Sequence, residues 1–138
     1  MIGNHKDTKK YPINLLIINY LYNFFGSHRT LFYSFSNSFL NYLIGILNSK
    51  LTVFWFNTAF LNIDSIFPHI QKNQLEAIPI VQADRTTHKN ITSLVDKILA
   101  AKNTTPQADT SEWENDIDRL VYQLYGLNEE EIWIVERS

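Results

Sequence analysis

The chain has no cysteine among its 138 residues, which removes a disulfide framework, a thiolate metal site and a cysteine nucleophile at once. Glycine is nearly as sparse: Gly3, Gly26, Gly45 and Gly126 lie far apart. A cofactor or phosphate loop needs clustered glycines so that backbone N–H groups can close on the ligand, so a dinucleotide loop and a P-loop are excluded. The histidines, His5, His28, His69 and His88, show no His-x-x-x-His or related spacing, and each reads as a lone surface residue instead of a metal ligand. Long clean apolar runs are missing too. Ile13 to Phe25 is interrupted by Asn14, Asn19 and Asn23, and Phe39 to Phe60 by Asn41, Asn48, Ser49, Lys50 and Asn57. A spanning helix needs about 20 mostly apolar residues, and no signal-like apolar core lies near Met1. The expectation is a cytoplasmic protein without membrane contact.

What is present can fold. At 45% apolar and 14% aromatic residues the chain can bury a core, and its length predicts one domain with a helical appendage. The formal net charge of −2 does not by itself point to a nucleic acid, but its distribution is uneven. Residues 1–80 hold six Lys/Arg against three Asp/Glu, residues 81–138 hold six against eleven, and 15 of the 19 aromatics fall in the first 80. Any DNA-facing surface is expected in the first part, with the acidic remainder pointing elsewhere. The plainer reading is that acidic helices are simply solvated.

Residues 1–12 form a polar lead-in. Ile13 to Tyr22 fits both a strand and a helix, since Leu15, Ile18, Tyr22 and Phe25 keep helical spacing within a β-rich composition. Arg29 to Phe35 reads as a strand. Ser36-Asn37-Ser38 offers N-cap oxygens, and behind it Leu40, Leu43, Ile44, Leu47, Leu51 and Phe54 recur as one helical face. Gly45 weakens that helix by about 1 kcal/mol relative to alanine, which is tolerable where it allows another element to approach closely. Ala77 to Val81 is a short strand-like stretch, confined to an edge by Pro79. Two amphipathic helices follow. Ile91, Leu94, Val95, Ile98 and Leu99 mark the first, and Trp113, Ile117, Leu120, Val121 and Leu124 the second. A polar loop, Lys102 to Thr110, contains Pro106, which forbids helical continuation. Gly126 stands where a left-handed C′ residue belongs, and Asn128 with Glu131 makes a capping-box start for a last turn, Glu129 to Glu136.

The carboxylates Asp109, Glu112, Glu114, Asp116 and Asp118 could be stretched to a nuclease-like metal cluster. Their helical phase makes them the polar complement of the Trp113–Leu124 stripe, so a solvated face is the expectation. Phe67 to Gln74 gathers His69, Gln71, Lys72, Asn73 and Gln74. Lysine suits phosphate or guanine, and Gln and Asn suit adenine edges; from composition alone an ordinary polar loop is the favoured account.

From Phe39 to Glu136 the order of pieces resembles a known region. Tyr42-Leu43-Ile44-Gly45-Ile46-Leu47-Asn48-Ser49-Lys50-Leu51 comes first, then Phe67-Pro68-His69-Ile70-Gln71-Lys72-Asn73-Gln74-Leu75-Glu76-Ala77-Ile78-Pro79-Ile80, then both helices. Together they are similar to the C-terminal target-recognition region of type IIG and Eco57I-type adenine-specific restriction-modification methylases, related to the TaqI methylase C-terminal specificity domain and, more distantly, to type I specificity subunits. Residues 1–30 match nothing nameable, and Val81 stands where such regions usually carry a second proline. The resemblance implies a DNA specificity module, a fragment of a larger enzyme, whose partners are double-stranded DNA and a methyltransferase domain or subunit.

No catalysis is expected from this chain. An N6-adenine methyltransferase needs an Asn/Asp-Pro-Pro-aromatic tetrad to hold the amino group of a flipped-out base, and Pro12, Pro68, Pro79 and Pro106 are nowhere adjacent. No cofactor or metal is expected either. The resemblance places DNA contacts at Lys50, His69, Gln71, Lys72 and Gln74, with Arg29 a further candidate. The alternative is a docking module for a methyltransferase, or for a second copy through the hairpin as a homodimer, without DNA binding of its own. The expected fold is α+β: a small irregular sheet on a central helix, followed by an antiparallel helical hairpin. The expected divisions are an N-terminal segment 1–30, a partial target-recognition domain 31–82, and a hairpin with a C-terminal turn at 83–138.

Overall fold

Asp84 starts the longest described helix: its carboxylate accepts the Thr87 N–H at 2.9 Å, satisfying one of the donors that a helix start leaves open. The structure is a computed structural model that describes residues 37–60 and 72–138. Among these, the helices are α1 (Asn37–Leu47), α2 (Lys50–Phe60), α3 (Lys72–Glu76), α4 (Arg85–Thr104), α5 (Ser111–Leu124) and α6 (Glu129–Arg137). No strand occurs among the described residues. The fold is therefore all-helical there, and the α+β expectation is corrected. The expected strand at Arg29 to Phe35 lies outside the described residues.

The other expected strand, Ala77 to Val81, is irregular backbone. Its composition suits a strand, but side chains occupy the backbone groups that a neighbouring strand would pair. The Tyr125 hydroxyl donates to the Pro79 carbonyl at 2.6 Å, and the Tyr42 hydroxyl donates to the Val81 carbonyl at 2.5 Å.

The hairpin forms as its periodicity dictates. α4 and α5 are joined by the connection 105–110 and pack antiparallel, with Ile91, Val95, Ile117 and Val121 buried between them. Leu94, Ile98, Leu120 and Leu124 flank that seam, while Leu99 is 46% exposed. The seam does not await an outside partner, because α1 lies across it and adds Tyr42 and Ile46 to the core. A Cβ on Gly45 would sit 2.5 Å from Ile91 Cγ2 and 3.3 Å from Val95 Cγ2, so only glycine lets α1 and α4 come this close. Each fully buried isoleucine or valine here contributes roughly 1.5–3 kcal/mol.

One expected helix is two. The face Leu40–Phe54 implies a single unbroken helix, yet α1 and α2 meet at a 60° bend. Hydrogen bonds at Asn48 and Ser49 end the first helix: the Asn48 amide donates back to the Ile44 carbonyl at 2.7 Å, and the Ser49 hydroxyl to the Ile46 carbonyl at 2.7 Å. Such short polar side chains compete for the backbone groups a helix needs. Of the buried residues of α1, Leu47 belongs to the expected stripe, whereas Tyr42, Gly45 and Ile46 lie off it. Among the described residues no single helix is long and apolar enough to cross a membrane; the bent pair α1–α2 passes only when its two helices are taken together.

α5 ends in a Schellman arrangement. Gly126 is left-handed at φ 70°, with Gly126 N–H on the Gln123 carbonyl and Leu127 N–H on the Tyr122 carbonyl. The Asn128–Glu131 capping box then starts α6, as its spacing predicts.

Candidate nucleic-acid interface

The bend between α1 and α2 leaves the first N–H groups of α2 needing acceptors. Ser49 supplies one, its hydroxyl oxygen lying 3.3 Å from the Thr52 N–H. The Asp118 carboxylate on α5 supplies another, accepting the Lys50 backbone N–H at 2.8 Å. Asp118 is 5% exposed. Burial pushes its carboxyl up to about 6, against the pull of the Lys50 N–H and ammonium. Helical phase puts Asp118 on a solvated face, and the structure corrects this: it closes a helix from a distant part of the chain. Asp109 and Asp116 do sit in the solvent and bond Ser111 and Arg119.

The Lys50 side chain turns to α6. Its ammonium meets Glu136 Oε2 at 2.9 Å, and the Tyr122 hydroxyl donates to Glu136 Oε1 at 2.7 Å. The bond to Glu136 raises Lys50, and the bonds from Lys50 and Tyr122 lower Glu136. Burial, then the bond to Glu136, raises Tyr122. Four residues on three helices thus tie α2 to α5 and α6.

A second set of contacts holds the segment leading out of α3. Ile78 is buried. Tyr125 and Tyr42 hold Pro79 and Val81, with the Val81 N–H also reaching the Tyr125 hydroxyl oxygen at 3.3 Å. Burial raises Tyr42 to about 12 and also raises Tyr125. Tyr42 stacks on His88 with ring centroids 4.7 Å apart, so His88 is not the lone surface residue its spacing implies. A cleft of about 170 Å³ opens beside this segment between Leu51, Trp55, Ile78, Pro79, Tyr125 and Leu127.

Of the residues expected to meet DNA, Arg29, His69 and Gln71 lie outside the described residues, and Lys72 is the first residue of α3. Gln74 is 5% exposed and is engaged within the protein, as is Lys50 through Glu136. Reading of the sequence missed Asp118, Tyr122 and Tyr125, whose roles rest on long-range contacts that helical phase does not encode. Among the described residues no group of three or more His, Asp or Glu gathers as a metal site.

A family model described as the TaqI-like C-terminal specificity domain matches residues 7–80. The chain belongs to this family. Its domains serve DNA target recognition in methylases. The match takes in residues 7–30, where no resemblance was expected, and stops at Ile80, before α4 to α6. Nothing among curated proteins or solved structures matches the chain. The matched span thus ends within the segment that Tyr42 and Tyr125 hold, and α4 to α6 pack onto α1 and α2 through Gly45, Asp118 and Glu136.

Proposed function

We propose that this chain is the DNA target-recognition part of an adenine-specific restriction-modification methylase of the type IIG or Eco57I kind, without catalysis of its own. The family match over residues 7–80 carries the reading. The surplus of Lys/Arg and aromatics in the same span supports it, since phosphate contacts need cations and exposed bases stack on rings. The missing Pro-Pro tetrad supports the non-catalytic half. We place base and phosphate contacts at the polar residues His69, Gln71 and Lys72, at and before the start of α3 in the chain.

A mobility-shift titration of the full chain on duplex DNA at two salt concentrations tests this. Affinity should fall steeply with salt, because each neutralised phosphate releases counterions. No shift at low salt overturns the reading, and adenine methylation from S-adenosylmethionine by the purified chain overturns its non-catalytic half. A second reading, docking on a methylase domain or on a second copy, is favoured by Trp133 and Ile134, which are 57% and 46% exposed on α6. It predicts self-association or methylase binding that is indifferent to DNA.

A further inference from the structure

The acidic balance of residues 81–138 conceals one basic helix. α4 carries Arg85, Lys89, Lys97 and Lys102 against Asp96 alone, whereas α5 carries Glu112, Glu114, Asp116 and Asp118 against Arg119. Arg85, Lys89, Ser93 and Lys97 follow one another at four-residue intervals, and all are exposed. That spacing sets them about 6 Å apart along the axis, so the row spans about 18 Å. Asp96, the one acid on the helix, is engaged by the Asn41 amide at 2.5 Å, and Lys102 by the Ala108 carbonyl. Arg85, Lys89 and Lys97 make no ion pair among the described residues.

Beside this row runs an open groove of about 440 Å³ between α4 and α5. Asn90, Ser93, Leu94 and Lys97 line one side, and Asp116, Arg119, Leu120 and Gln123 the other. Arg119, with its side chain 74% exposed, pairs with Asp116 at 2.9 Å through a single nitrogen, Nη1, leaving other guanidinium donors available. The one carboxylate in the groove, Asp116, is held by Arg119, and the cations beside Asn90, Ser93 and Gln123 suit a row of phosphates.

We propose that this face of α4, with Arg119 and Gln123 of α5, is a second DNA contact that holds the phosphate backbone of the duplex whose bases the specificity domain reads. The assignment rests on the target-recognition reading above and extends the DNA surface beyond Ile80. A duplex carries one charge per about 1.7 Å of axis, so a row of about 18 Å faces several phosphates and can neutralise a few. Contacts of this kind set register and orientation and carry no sequence information.

The test compares wild type with the triple variant Arg85→Ala, Lys89→Ala, Lys97→Ala, on the full chain, with duplexes of cognate and scrambled sequence. Alanine is the best helix former and the three side chains are exposed, so circular dichroism and melting should be unchanged. The slope of log affinity against log salt should fall by about 0.9 for each phosphate that the variant no longer neutralises. Affinity for all duplexes should fall alike, with sequence preference kept. The triple variant Arg85→Lys, Lys89→Arg, Lys97→Arg should retain the wild-type slope. Wild-type DNA binding with an unchanged slope in the alanine variant overturns this contact and leaves target recognition standing. Absence of DNA binding by wild type overturns both, and wild-type binding to an acidic polypeptide but not to DNA identifies the face as a protein-docking surface instead.

Discussion

The Asp118 carboxylate accepts the backbone N–H of Lys50 at 2.8 Å, so a residue of α5 closes the open start of α2 across 68 positions. Its folded pKa, about 6, lies above the ordinary value of 3.8 because burial penalises the charge. The protonated form is favoured by folding, so this contribution to stability is full below about pH 4 and is lost as pH rises through about 6, to the extent of roughly 3 kcal/mol. Asp118→Asn keeps an acceptor and drops the charge. It should melt above wild type at pH 7, with the gap closing below about pH 4. Parallel pH profiles for the two proteins would show that the buried charge costs nothing. Asp118→Ala leaves the Lys50 N–H without its acceptor and should cost about 1–3 kcal/mol.

Gly45→Ala places a methyl 2.5 Å from Ile91 Cγ2. Alanine's better helix propensity, about 1 kcal/mol, does not offset the overpacking of a buried helix crossing. A net loss of about 1–2 kcal/mol is expected in urea unfolding. In an Ile91→Ala background the same substitution should be milder, and the double-mutant cycle should report coupling above about 0.5 kcal/mol. Additive effects would place the two residues out of contact.

Tyr125→Phe removes both the donor to the Pro79 carbonyl and the acceptor of the Val81 N–H. Amide exchange at Val81 should accelerate, and stability should fall by about 1–2 kcal/mol. Tyr42→Phe, which frees the Val81 carbonyl but leaves the Val81 N–H on Tyr125, should leave exchange at that N–H much closer to wild type. Equal exchange rates in both variants would mean that the tyrosine hydroxyls do not hold this segment.

Gln74 and Lys72 should separate in their effects. Gln74 is buried, so Gln74→Ala should lower the melting temperature first and alter DNA binding only as folding fails. Lys72→Ala should weaken binding to every duplex alike and reduce the salt slope by about 0.9. Gln71→Ala should relax sequence preference by roughly 1–3 kcal/mol if it reads a base. Unchanged binding in both Lys72→Ala and Gln71→Ala would remove this stretch from the DNA surface.

Local features of this fold were legible in the residues themselves. The stripes of α4 and α5, the left-handed Gly126, the Asn128–Glu131 box and the close approach at Gly45 each depend on neighbours within a turn, or on the bare absence of a Cβ. The family resemblance was legible too: Tyr42 to Leu51 and Phe67 to Ile80 fall inside the matched span, 7–80, whereas the two helices that also pointed to it lie beyond that span.

Tertiary structure alone decided the rest. Helical spacing across Asn48 and Ser49 permits one straight helix, and two helices form because those side chains bond back to α1 while Asp118, far along the chain, receives the freed Lys50 N–H. Strand-like composition at Ala77 to Val81 permits a sheet edge, and no strand forms because Tyr42 and Tyr125 take the backbone groups that a ladder would use. Lys50 carries the charge a phosphate contact requires, and Glu136 of α6 already holds it. In each case the competing partner is a polar side chain dozens of residues away, and the geometry that brings it within 3 Å exists only after α1, α4 and α5 have packed.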